Sequence, residues 1–424
     1  MRANPNVRRW AIASAAVTVA LGASQAAFAW RAPSPVPVPS RPAAPTAIQG
    51  VVSQTPSISA DGKFVVFAGA PPAGDPRSAT VYLQDRSDGA ITELSPMVEG
   101  VPSGGTVWPV LSADGCTVTA ITEVPFDQFR DDDAGDRWDV YRTVLPRCDG
   151  DGDWALVSAS GSGFEVAASG DVSPLYPPAV SGEGSVVAYT RRFSTSAPDV
   201  LAVEVVDLSI PLGDPGRTQP VLGTPATAPD GTFRHRGVRE PSLSSDGTLL
   251  AYTSDAVSAL ALPEWGSGPQ PGGFATSHVF VWDRANPDRN TAVRKVSTPA
   301  GPENGDSTSP VLSGDGSTIA FVSTASNLVP GATLPACTPT CLAQVYLLEL
   351  DGGSIRLGSR VPGDPTLAPV GADAAATQPA LDHTGDQLLF VTRATNLFAG
   401  RSSTVGGPAD GDIVRMVPAT GAAD

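Results

Sequence analysis

One short pattern occurs six times along the chain, and a chain written that way folds as an array of similar units. The copies read TPSISADGKFVVFA from Thr55, WPVLSADGCTVTAI from Trp108, PPAVSGEGSVVAYT from Pro177, EPSLSSDGTLLAYT from Glu240, SPVLSGDGSTIAFV from Ser309 and QPALDHTGDQLLFV from Gln378. Their aligned prolines are Pro56, Pro109, Pro178, Pro241, Pro310 and Pro379, separated by 53, 69, 63, 69 and 69 residues. Gly and Pro, 44 and 42 residues, would suit a disordered coil if apolar residues had no period. Apolar residues are 41% of the chain and fall in short, regularly spaced clusters, so a turn-rich all-β fold is the better reading.

Each copy has the same physical content. A short strand ends at Ser, or at Asp382 in the last copy. A tight turn follows and ends in Gly62, Gly115, Gly184, Gly247, Gly316 or Gly385, where glycine suits a left-handed backbone. Asp61, Asp114, Glu183, Asp246 and Asp315 stand two residues after the Ser, placed to bond turn amides; Thr384 takes that place in the last copy. The second strand is apolar or alternating. A third is read at Val81–Asp85, from Val140, from Val200, at Val279–Asp283, at Val345–Glu349 and from Ile413. A fourth is read at Ile91, Trp154, Val293 and Ile355. Four antiparallel strands repeated six times make propeller blades.

This repeat, with a D-V-[FY]-V-like third strand after it, resembles the WD40-like PD40 repeat of TolB-type propellers. The resemblance runs from about Gln49 to Pro418; copies one, four and five match best, and the last departs at Asp382-His383-Thr384. It implies an all-β, six-bladed β-propeller of TolB-like kind with four-stranded antiparallel blades. It implies little about function, because such folds serve many roles. The chain ends soon after the third strand of blade six. Residues 47–52 (AIQGVV) are therefore expected to join blade six as its outer strand and close the ring.

The expected domains are a signal peptide over 1–29, a Pro-rich linker over 30–46 and the propeller over 47–424. Arg2, Arg8 and Arg9 precede an apolar Ala-rich run, and Ala27-Phe28-Ala29 offers the small residues of a cleavage site. No other long apolar run follows, so no membrane insertion is expected after cleavage. Removing the signal removes three arginines and no acid, taking the net charge from −16 to −19. That balance disfavours nucleic acid and anionic membranes. The four cysteines suit an oxidising compartment, secreted into the periplasm or medium, and the pairs Cys116–Cys148 and Cys337–Cys341 are expected.

The links between strands one and two and between three and four are mostly short. Those between two and three and from four to the next blade are long: 124–137, 158–176, 210–237, 255–277, 324–343 and 394–411. In an antiparallel blade these classes emerge on opposite faces, and variable loops on a rigid scaffold are the usual place for function. Residues beside the repeat prolines should ring the channel mouth on that face. Gln54, Trp108, Tyr176, Arg239, Glu240 and Gln378 are the candidate ligand-binding residues, with Trp108 and Tyr176 as stacking surfaces. The three histidines, His235, His278 and His383, fall in different blades, and no nucleophile elbow or zinc motif occurs, so no catalytic residue is assigned. Asp131, Asp132, Asp133 and Asp136 form an acidic loop that calcium could occupy, as does Asp149-Gly-Asp-Gly-Asp153; no other cofactor is implied. The expectation is an exported, monomeric, non-catalytic binding scaffold with a protein or peptide partner on the long-loop face. The alternative is a carbohydrate-binding or carbohydrate-active envelope protein using the channel mouth.

Overall fold

The computed structural model describes residues 52–70, 80–94, 106–123, 138–148, 152–158, 171–193, 200–221, 223–224, 237–255, 258–259, 276–299, 304–337, 341–362, 367–397 and 412–416. Six successive antiparallel sheets follow the six repeats. Blade one is Val52–Ile58, Phe64–Ala70, Thr80–Asp85 and Ile91–Glu93, and blade two is Thr106–Leu111, Thr117–Thr122, Asp139–Val144 and Trp154–Leu156. Blade three is Ala179–Val180, Val186–Phe193, Val200–Asp207 and Thr218–Val221, with Asp171–Val172 paired to the far end of its second strand. Blade four is Val238–Leu243, Leu249–Ser254, His278–Asp283 and Val293–Lys295. Blade five is Ser307–Leu312, Thr318–Ser323, Gln344–Glu349 and Arg356–Leu357, and blade six is Ala376–Leu381, Leu388–Thr392 and Asp412–Met416. The helical segments among the described residues are single turns at Pro146–Cys148 and Arg289–Ala292.

The repeated turn does what its residues require. Ser59 Oγ donates to Asp61 Oδ1 at 2.6 Å, and the same carboxylate oxygen accepts from Lys63 N at 2.9 Å. Asp114, Asp246 and Asp315 repeat this arrangement with Ser112, Ser244 and Ser313. All six turn glycines have φ between 69° and 77°. Gly184 also needs to lack a side chain, because a Cβ there would collide with Thr117 of the preceding blade. Backbone bonds then run from turn to turn. Ala60 N donates to Ala113 O, Asp114 N to Gly182 O, Gly182 N to Ser245 O, Ser245 N to Gly314 O and Asp315 N to His383 O, at 2.7–3.0 Å. The turns thereby form one continuous hydrogen-bonded face that joins all six blades.

The core lies between blades. Phe64 and Val66 of blade one meet Val118, Ala120 and Tyr141 of blade two. Ile121 and Val140 meet Val187 and Tyr189 of blade three. Val186 and Ala188 meet Leu250 and Tyr252 of blade four. Ala251 and Val279 meet Ile319, Phe321 and Tyr346 of blade five. Ala320 and Val345 meet Leu388, Phe390 and Val414 of blade six. A strand covered on both sides is mostly apolar, and Thr318–Ser323, reading TIAFVS, is buried at every residue.

Both expected disulfides are present, Cys116–Cys148 and Cys337–Cys341. The first follows from register: Thr117 pairs with Val144 in the hairpin, which leaves Cys116 opposite the turn that ends at Cys148. One loop reading needs correction. Within 210–237, Thr218–Val221 is the fourth strand of blade three, paired to Val203–Val206. Its TQPV sequence hides it, since Pro220 tolerates only an edge position, which is where this outermost strand lies. Of the expected closing strand only Val52 is described, and it opens the first strand of blade one, paired with Ala70. The signal peptide, the linker, residues 47–51 and the acidic residues Asp131, Asp132, Asp133, Asp136, Asp149 and Asp151 lie outside the described residues.

Candidate binding face

The innermost strands are irregular at the repeat proline. In blades one, two, four, five and six the register against strand two shifts there, between Gln54 and Ser57, Val107 and Val110, Arg239 and Ser242, Thr308 and Val311, and Thr377 and Ala380. Proline has no N–H for the ladder, so a bulge at that point loses nothing. The residue before it takes the left-handed conformation: φ is 52° at Trp108, Ser309 and Gln378 and 58° at Glu240. Such a backbone costs about 1–2 kcal/mol for a residue other than glycine, so neighbours must hold it.

Two of these side chains are held by the next blade. Trp108 Nε1 donates to Pro174 O of blade three at 2.7 Å. Glu240 Oε2 accepts from Thr253 Oγ1 at 2.6 Å and from Ser309 N of blade five at 2.7 Å. The residue after the proline repeats the theme: Ser57 Oγ accepts from Leu111 N, and Ser242 Oγ from Leu312 N, both at 3.0 Å. The mouth of the innermost strands is therefore a belt of inter-blade bonds.

Arg239 is 6% exposed and Asp255 7% exposed, and they form an ion pair, Nη1 to Oδ2, at 3.3 Å. Arg239 Nη2 also donates to Ser277 Oγ at 2.9 Å, while Asp255 Oδ1 accepts from Gly237 N at 2.8 Å. Arg239 thus braces its own blade. Tyr176 is buried, Gln378 is exposed, and Gln54 pairs through its backbone with Ala68. A second buried network escaped the sequence reading. Arg191 Nε lies 3.0 Å from Glu204 Oε2, which also accepts from Tyr189 Oη at 2.6 Å. Burial and then the Glu204 charge push the Tyr189 phenol well above its ordinary range. His278 is buried beside Phe280, and that burial, followed by the Lys295 charge, brings its imidazole down to about 3. It is neutral at any physiological pH.

Among the described residues of the long-loop face, several aliphatic side chains are exposed, beside exposed polar ones such as Asp373 and Thr395. Leu175 is 70% exposed, in the segment that Trp108 anchors through Pro174. Leu367 and Val370, entering blade six, are 66% and 45% exposed. They sit on an ordered rim: Thr333 N donates to Pro369 O at 2.8 Å, and Gly371 N to Thr333 O at 2.9 Å. Leu342, two residues before the third strand of blade five, adds a further exposed side chain on the same face. Elsewhere, an open cavity of about 340 Å³ lies at the outer edge of blade two, lined by Arg142, Val144, Pro146, Gly152, Asp153 and Ala155. Among the described residues no three His, Cys, Asp or Glu side chains come together as a metal-binding group.

Six blade sheets, one repeat and a shared turn face define the class: this is a six-bladed β-propeller. No protein-family model matches the chain, and no curated protein matches it significantly. Solved structures do. An Agrobacterium tumefaciens protein described as TolB is similar at 14% identity and a TM-score of 0.39, over 76% of this chain and 86% of that one. An oligogalacturonate lyase from Vibrio parahaemolyticus is similar at 11% identity and a TM-score of 0.40, over 87% of this chain and 91% of that one. A prolyl endopeptidase is similar at 15% identity and a TM-score of 0.45, over 87% of this chain and 43% of that one. These similarities concern the fold alone. The two disulfides fit an oxidising compartment outside the cytoplasm. No helix among the described residues is long and apolar enough to cross a membrane.

Proposed function

We propose that this protein is an exported, non-catalytic scaffold that binds a protein or peptide on its long-loop face. The observation that carries this reading is the exposure of Leu175, Leu342, Leu367 and Val370 on that face, the last two beside the backbone bonds that join Thr333 to Pro369 and Gly371. Apolar side chains held outward on an ordered frame suit a protein surface, since ordering them costs little on binding. They suit a sugar less well. Stacking on a glycan needs open aromatic faces, whereas Tyr176 is buried and the Trp108 indole is tied to Pro174. The acidic balance of the chain, −16, favours a neutral or basic partner.

The test is affinity capture from envelope and secreted fractions, with and without calcium, using the chain from Trp30 onward. The comparison bait carries Leu175→Glu and Leu367→Glu, both at exposed positions where folding is indifferent to the change. A protein retained by the first bait and lost by the second supports the reading. Equal retention by both baits, or retention of glycan only, removes it.

A further inference from the structure

Three arginines are buried among the described residues: Arg191, Arg239 and Arg360, at 3%, 6% and 9% exposed. The first two have carboxylate partners, Glu204 at 3.0 Å and Asp255 at 3.3 Å. Arg360 has neither a hydrogen bond nor an ion pair among the described residues, and its Nε is enclosed without an acceptor. Burial pulls its guanidinium below the usual range, with no acid beside it to oppose the shift. Arginine does not shed its proton to escape such a place, so the cation stays. Buried arginines are almost always paired, because an uncompensated charge is costly to desolvate.

Arg360 stands on the long-loop rim among the exposed aliphatic side chains. It bridges Gly371, and the next residue, Val361, donates its N–H to Val370 O at 2.8 Å. Val370 in turn bridges Thr333. Residues directly opposite in an antiparallel pair point to the same side, so the Arg360 side chain leaves this patch where Gly371 has none. A Cβ at Gly371 would meet Leu334 Cδ2 and Gln344 Oε1. Gln344 Oε1 already accepts from Ser359 Oγ at 2.7 Å and from Ala372 N at 3.1 Å, which uses both of its lone pairs. The described chain around Arg360 supplies a cation and no acceptor for it.

We infer that Arg360 receives a carboxylate from outside the chain, the free C-terminus of an apolar peptide segment, which rests on the binding reading above for the peptide itself. A guanidinium fork matches a carboxylate through two parallel hydrogen bonds. Leu367 and Val370, 66% and 45% exposed on the same rim, suit the apolar residues that precede such an end. The net charge of −16 works against an acidic segment, whereas a chain end brings a single charge.

The probes are N-acetyl-leucine, its amide, and the α-amide of N-acetyl-glutamic acid, each titrated to about 50 mM and read as the rise in thermal midpoint that a ligand of the folded state causes. N-acetyl-leucine should raise the midpoint of the native chain, with the other two at least about ten-fold weaker. Arg360→Met should weaken N-acetyl-leucine at least about ten-fold. The same variant without ligand should keep its urea midpoint or gain, since no acceptor in the chain is orphaned. A loss of stability like that of a paired arginine would overturn the inference, because an acceptor in the chain would then hold the guanidinium. Equal binding of acid and amide, binding of neither, or a glutamate compound as tight as N-acetyl-leucine would overturn it too. These arms need no partner protein, so they decide Arg360 separately from the capture with Leu175→Glu and Leu367→Glu. In that capture an Arg360→Met bait should retain at least about ten-fold less of the partner. Retention equal to that of the native bait would sink the assignment of Arg360 to the partner's chain end.

Discussion

Arg239→Ala should destabilise the propeller by about 3–5 kcal/mol, the usual result of breaking a buried ion pair from one side. The change removes the 3.3 Å contact to Asp255 and the 2.9 Å bond to Ser277. It takes the Arg239 cation away from a carboxylate that is 7% exposed. The burial of that carboxylate and the lost attraction both contribute, and a cycle distinguishes the two. Asp255→Asn in the Arg239→Ala background should recover part of the loss, giving a coupling of about 1–3 kcal/mol. Urea unfolding followed by tryptophan fluorescence, with seven tryptophans as reporters, reads all four corners. If Arg239 faced a ligand, its removal would alter stability by no more than about 0.5 kcal/mol, as surface substitutions do. That result would refute the bracing role.

Three further outcomes follow from particular contacts. Glu240→Ala removes a charged acceptor from Ser309 N and should cost about 1.5–3 kcal/mol, whereas Glu240→Gly should cost about 1 kcal/mol less, because φ of 58° suits glycine; chemical unfolding of the pair checks both. His278 has a folded value of about 3 against 6.5 unfolded, so only the unfolded state takes up its proton between those values. Stability should fall as pH drops from 6.5 toward 3, by up to about 1.4 kcal/mol per unit from this group, and the pH 4.5–6.5 part of that slope should flatten in His278→Gln. Chain-entropy arithmetic gives about 3–4 kcal/mol for Cys116–Cys148, separated by 32 residues, and about 2 kcal/mol for Cys337–Cys341, separated by 4; paired Cys→Ser variants should unfold in that order.

The architecture was legible because its signals are local. Asp61 and Gly62 act within one turn, and the same turn recurs six times, so the strands on either side could be placed without knowing any long-range contact. Both disulfides were legible for a related reason: a hairpin register and a four-residue spacing are short-range facts. The fourth strand of blade three was not, since Thr218–Val221 looks like a loop until an edge is available for Pro220. The mouth of the innermost strands was legible as a place and opaque as chemistry. The pattern located Trp108, Arg239 and Glu240 beside the repeat prolines, but nothing in it says that Pro174, Asp255 and Ser309 wait as partners. Those partners are up to 69 residues away in sequence. The left-handed backbone at a non-glycine residue before proline, which turns Glu240 toward the next blade, runs against local preference and is imposed by the sheet. Leu175 and Leu367 carry no sequence signal, because isolated leucines in loops look like any others.

The most direct test of the binding claim is amide hydrogen exchange on the protein alone and with its captured partner. The account predicts slowed exchange at 171–176, 333–337 and 367–372, on the long-loop rim, with the turns at 59–63, 112–116 and 313–317 unchanged. Protection confined to those turns, or to the outer edge of blade two around Arg142 and Asp153, would contradict it.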